Sequence, residues 1–183
     1  MPRYFKILLA IVYLAACAQV SFDLPIGIGI PITGQTFAVI MIGYILGVKD
    51  GTLSIILYLL LGIVGFPVYA DWSAGIKVIQ SGSGGFLIGF VAGAYLCAKM
   101  AQSKYKSNFL YILLAMVLGS AVIVSIGLMK LNAMFGFEKA LEYGFYPFWI
   151  GALIKSFLAA IVVFIYFKFF EKPQDNFANL NVD

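Results

Sequence analysis

The sequence predicts an all-α membrane protein, a bundle of six transmembrane helices with an outward-facing ligand cavity. Three observations carry that expectation. Hydrophobic residues make up 63% of the 183-residue chain and charged residues only 11%, against roughly 45–50% and 25% in soluble domains; mean hydropathy is +1.02. Apolar runs recur along the chain, most of them near the roughly 17–25 residues that a helix needs to cross hydrocarbon. The stretches between the runs are Gly/Pro-rich or polar, and three of the least helical ones fall on the same side. The length suits one domain, residues 1–172, followed by a polar tail at 173–183.

The first run is Tyr4 to Phe22. More spans follow it and no small-residue cleavage site ends it, so it is expected to be a retained helix rather than a signal peptide. Asp23 to Gly34 holds two prolines and three glycines, which oppose a helix. Thr36 to Val48 is a short second run, about 20 Å at 1.5 Å per residue. Lys49-Asp50-Gly51 is expected as a tight turn, with a third helix over Thr52 to Gly65. Residues 66–85 form a long loop, opened by Phe66-Pro67 and closed by Ser81-Gly82-Ser83-Gly84-Gly85. Phe86 to Lys99 and Phe109 to Leu131 are the fourth and fifth helices. Phe135 to Tyr143 carries Glu138, Lys139 and Glu142 on one side, as in a short interfacial helix. Phe148 to Phe170 is the sixth run.

Lys and Arg counts in the short loops set the orientation. With the N-terminus inside, the inner side holds Arg3, Lys6, Lys49, Lys99, Lys104, Lys106, Lys168 and Lys172, and the outer side holds Lys77, Lys130 and Lys139. Both termini are therefore expected in the cytoplasm, with segments 23–35, 66–85 and 128–147 outside. The net charge of +4 is accounted for by topology, so nucleic acid is not an expected partner. Cys17 and Cys97 lie in apolar runs and read as packing residues. There is no histidine, which removes the commonest general base and metal ligand. No enzyme, metal site or resident cofactor is expected.

Lys155 is the sharpest local signal, an ammonium about 10 Å into an apolar run. Such a residue usually faces the bundle interior or a watery cavity; the alternative is a side chain snorkelling to the headgroups. Gln35, at the junction of the extended loop and the second run, offers donors and acceptors suited to an amide-like or urea-like ligand. The alternative there is helix capping, with Thr33 or Thr36 as the cap. Tyr69, Asp71 and Trp72 lie in the outer loop, where a carboxylate among aromatics accepts ligand N–H groups, although interfacial aromatics are also routine. Phe86 stands at the entry to the fourth helix, where backbone N–H groups suit a ligand carboxylate; without a Gly-Lys-Ser/Thr sequence this is no phosphate loop.

The chain resembles the BioY family, the biotin-binding S components of energy-coupling factor transporters. The matching stretches are Ala18-Gln19-Val20-Ser21, Pro31-Ile32-Thr33-Gly34-Gln35-Thr36-Phe37-Ala38-Val39, Gly43-Tyr44-Ile45-Leu46-Gly47 and Leu57 to Val68. Gly84 to Phe90 and Pro147-Phe148 with Leu153-Ile154-Lys155 continue the match in order, over roughly residues 5–168. The resemblance implies six helices in a bacterial cell (inner) membrane and capture of biotin from outside. It also implies a transmembrane coupling subunit and two ATPases as partners, since the chain has no ATP-binding signature. Lys155 is then a substrate contact, with Gln35, Asp71, Tyr69, Trp72, Phe86 and Thr33 as its companions. Ala10, Ala15, Ala16 and Ala18 supply small residues on the first helix, where the resemblance implies docking of a partner. One position departs: the family usually has an aspartate three residues before the lysine, and this chain has Ala152. Asp71 or Gln35 is the expected substitute. The departure leaves open an S component for a different small vitamin-like molecule; a non-catalytic structural membrane subunit is the remaining alternative.

Overall fold

Helix α1 (Arg3–Ala18) turns Ile7, Ala10, Ile11, Leu14 and Ala18 into the bundle, the spacing of one helical face. Its other face leaves Leu8, Leu9 and Val12 exposed. The computed structural model describes residues 2–22 and 30–170; the glycine-rich part of the Pro/Gly stretch and the tail from 171 lie outside the described residues. The helix ends at Ala18 rather than continuing to Phe22. The chain instead opens a short antiparallel ladder, β1 (Ser21–Phe22) with β2 (Ile32–Thr33), pairing Ser21 with Thr33.

Helix α2 (Gln35–Ile63) corrects the expected turn at Lys49-Asp50-Gly51. The reversal falls at Gly47, with φ 75° and ψ −175°, a conformation essentially restricted to glycine. Residues 48–51 are already helical. The limbs 35–46 and 48–63 fold back on one another, so that Gln35 reaches Tyr58. The expected turn residue Asp50 accepts a 2.6 Å bond from Arg3 Nε, tying α1 to the hairpin.

The expected loop 66–85 is more ordered than its composition suggests. It contains a 3₁₀ turn (Ala70–Trp72) and a short helix α3 (Ile76–Gln80) before α4 (Gly84–Met100). Helix α4 packs against both α2 and α5 (Phe109–Phe135). Small residues permit the approach: a Cβ on Gly89 would sit 3.0 Å from the Ile123 carbonyl, and one on Gly93 2.9 Å from that of Gly119. Close backbone contact of this kind is how helices associate where lipid removes the hydrophobic drive. The Asn108 side chain caps α5 by accepting from Tyr111 N at 3.1 Å. The helix runs to Phe135, and Gly136 (φ 86°) breaks it. The expected interfacial helix is a single turn, α6 (Phe137–Ala140), that widens through Leu141–Phe145. Helix α7 (Trp149–Phe169) packs on α5 and α2, with Ser120 and Ser156 bonded at 2.8 Å between α5 and α7.

Two of the described helices, α5 and α7, are long and apolar enough to cross a membrane by length and composition. Helix α2 meets the same measure, but the reversal at Gly47 divides its 29 residues between two limbs. Leu60, Leu114, Leu118, Ile154, Phe157, Leu158, Val162 and Ile165 are all exposed on the outside of the bundle. So much exposed aliphatic surface suits lipid contact, not water.

Candidate ligand cavity

One end of the bundle gathers the β1–β2 ladder, the start of α2, the loop through α3 and the start of α7. Between them lies a cavity of about 380 Å³, within the range usual for small-molecule sites. Its wall includes Thr33, Gln35, Tyr69, Asp71, Phe86 and Lys155, six of the seven residues singled out in the sequence.

Lys155 stands two turns into α7 and donates to the Thr33 carbonyl at 2.6 Å. Among the described residues no carboxylate lies within ion-pair reach of it. The ammonium turns into the cavity, and snorkelling to the headgroups does not describe it. One donor is used by Thr33, and an ammonium has three.

Thr33 and Gln35 are both buried and locally satisfied. Thr33 Oγ1 accepts from Gln35 N at 3.3 Å and donates to Gln35 Oε1 at 2.9 Å. Gln35 Nε2 donates to the Tyr58 hydroxyl at 2.6 Å, and Tyr58 donates to the Val68 carbonyl at 2.8 Å. The local backbone bond weighed for this segment is present. Thr33, one residue before the Gly34 N-cap, satisfies the first backbone N–H of α2, while the Gln35 amide has two donors and two lone pairs, and these bonds use half of them. Tyr58→Phe deletes a hydroxyl that serves both Gln35 and Val68. The expected cost is about 1–3 kcal/mol for the buried groups left unpaired, read as a lower unfolding midpoint of the purified protein.

Tyr69 is buried, and its hydroxyl donates to the Leu59 carbonyl at 2.6 Å. Burial pushes the phenol up to about 12, so it remains a donor at neutral pH. With its hydroxyl engaged on α2 and its ring packed edge-on against Tyr58, Tyr69 supports the cavity wall from behind and presents no polar group to it. Phe86 stacks on Phe148, ring centroids 5.2 Å apart, and with Leu87, Phe90 and Ile123 forms the apolar part of the wall. Asp71 reaches the rim, where Ser21 Oγ donates to its carboxylate. Trp72 is the correction to the expected set. It does not line the cavity, is 70% exposed and has a left-handed backbone at φ 57°.

Sequence reasoning missed Phe90, Phe148, Lys77 and Ser73 as wall residues. Phe90 was detectable in principle, since it lies four residues after Phe86 on one helical face. Ala152 also lines the cavity, so the position where the resemblance expects aspartate does face the ligand space.

An α-helical bundle with an aliphatic exterior and a mixed polar–aromatic cavity at one end defines a multi-pass membrane protein of the small-molecule-binding kind. The sequence matches the BioY family over residues 3–172, and the chain belongs to that family. It is 37% identical over 141 residues to the biotin transporter BioY of Thermotoga maritima, covering 76% of this chain and 82% of that one. It is 36% identical over 148 residues to the probable biotin transporter BioY of Pyrococcus horikoshii, covering 80% and 87%. Its fold is shared with the crystal structure of the S-component for biotin from an ECF-type ABC transporter. That likeness has a TM-score of 0.79 at 23% identity and covers 91% of this chain and 90% of the other.

Proposed function

We propose that this chain captures biotin from the outside of a bacterial cell membrane as the substrate-binding subunit of an energy-coupling factor transporter. The observation that carries it is the convergence of Lys155, Gln35, Thr33 and Asp71 on one aromatic-walled cavity, in a family whose related members are named as biotin transporters. A fused bicyclic ligand suits the stacked rings of Phe86 and Phe148. Its ureido and carboxylate groups suit an amide, a carboxylate and an ammonium, the few placed polar groups that fix a ligand in a mostly apolar site.

In this proposal the chain crosses the membrane six times, through α1, both limbs of α2, α4, α5 and α7. The N- and C-termini are cytoplasmic and the cavity opens outward. The excess of Lys and Arg in the loops at the other end supports that orientation. A transmembrane coupling subunit and ATPase subunits supply the energy for release inside, and the chain itself needs no cofactor.

Titration of the purified protein with biotin tests the proposal. The expected result is saturable binding near one site per chain. Ala152 on the cavity wall favours one competing reading, a different vitamin-like ligand that needs no carboxylate there. A panel of other small vitamins in the same calorimeter separates the two: heat with another vitamin and none with biotin removes biotin as the substrate.

A further inference from the structure

Asp71 and Trp72 are the two non-glycine residues among those described with positive φ, 54° and 57°. Aspartate tolerates this region, whereas a bulky residue such as tryptophan is a clear outlier there. Strain of this kind persists only where surrounding bonds over-determine the backbone. Within the turn, Tyr69 N donates to the Ser73 carbonyl at 3.2 Å, and Ser73 donates to the Ala70 carbonyl from N at 3.0 Å and from Oγ at 2.6 Å. The bonds that tie the turn to α1 come from one side chain outside the cavity. Gln19, directly after α1, donates from Nε2 to the Tyr69 carbonyl at 3.0 Å. Its Oε1 accepts from Trp72 N at 3.0 Å. It thus grips the strained turn on both sides of Asp71. The same Nε2 is anchored to the Ala15 carbonyl at 3.2 Å, so the grip is referred to a rigid helix. Two residues on, Ser21 holds the Asp71 carboxylate. Ser21 pairs in the ladder with Thr33, whose carbonyl holds Lys155.

We propose that Gln19 is a positioning residue for ligand binding: its amide clamps the 69–72 turn in a left-handed conformation that keeps the Asp71 carboxylate at the cavity rim. The ladder then refers the anionic rim and the cationic wall to one frame, so that both meet a ligand in fixed relation. Without the clamp the turn relaxes to ordinary dihedrals and the carboxylate leaves the rim. The proposal rests on the biotin-capture reading above for its ligand.

The test uses the full chain in detergent, titrated with biotin. Gln19→Ala is expected to weaken binding about five- to tenfold. Trp72→Gly alone is expected within about twofold of wild type, since the ring is off the cavity. Glycine adopts positive φ without the Cβ penalty. The double variant Gln19→Ala/Trp72→Gly is therefore expected to recover at least half of the lost affinity, which a merely structural defect would not do. Wild-type affinity in Gln19→Ala, or recovery of less than half in the double variant, overturns the clamp. Should Gln19→Ala not fold, Ser21→Ala reads the other hold on Asp71: weakening of threefold or more supports the proposal and unchanged affinity overturns it. A ligand-free arm separates this from failure of the biotin reading. Trypsin cleavage after Lys77, identified by peptide mass, is expected to quicken in Gln19→Ala and slow again in the double variant. Equal rates in all proteins overturn the clamp whether or not biotin binds.

Discussion

Lys155→Ala is expected to raise the dissociation constant for biotin at least tenfold, about 1.4 kcal/mol, while the protein still folds. The ammonium lies against the cavity and holds the Thr33 carbonyl. Among the described residues no carboxylate pairs with it, and so a ligand carbonyl or carboxylate is its natural partner. An interaction with a charged donor is worth about 1.5–3 kcal/mol when the partners are shielded from water. Truncation also leaves the Thr33 carbonyl to find another donor. Calorimetry on wild type and variant measures the difference directly, and unchanged affinity would remove Lys155 from the site. Lys155→Arg keeps the charge but replaces a compact head with a wide planar fork; it is expected to bind more weakly than wild type.

Gly43→Ala is expected to be strongly destabilising. A Cβ at this position would lie 2.8 Å from Ala94 Cα and closer still to the Ala94 carbonyl. Both atoms are backbone, so no side chain can swing aside and α2 must part from α4. Overpacking of this kind costs about 1–3 kcal/mol, or several degrees in the unfolding midpoint at about 2–4 °C per kcal/mol for a chain of this size. Gly151→Ala is the matched control. It lies in α7 with open space around its added methyl, and alanine is favoured over glycine in a helix by about 0.5–1 kcal/mol. Its midpoint is expected to hold or rise, and equal falls in the two variants would show that the α2–α4 contact is not the cause.

Several features of the site were readable because their chemistry is incompatible with their neighbours in sequence. A lysine in Trp149–Phe169 has no business in lipid, and it faces the cavity. A glutamine at the start of an apolar helix needs partners, and Gln35 has them in Thr33 and Tyr58. Trp72 lies off the cavity although it follows Asp71, since proximity in sequence does not fix direction where both residues adopt positive φ. The turn at Gly47 was placed two to four residues late because Lys49 and Asp50 look like loop residues. Their polarity is instead met at the helix start, with Asp50 bonded to Arg3.

Composition and the spacing of apolar runs were sufficient, alone, for an all-helical membrane protein with its unusual polar groups toward one end. Those properties depend on transfer of side chains out of water, which adds up locally along a chain. Where helices reverse, and which side chains share a wall, are set by contacts between residues far apart in sequence. Thr33 meets Lys155 across 122 positions and Gln19 meets Trp72 across 53. Bonds of that span exist only once backbone packing has brought the helices together, so only the tertiary structure decided them.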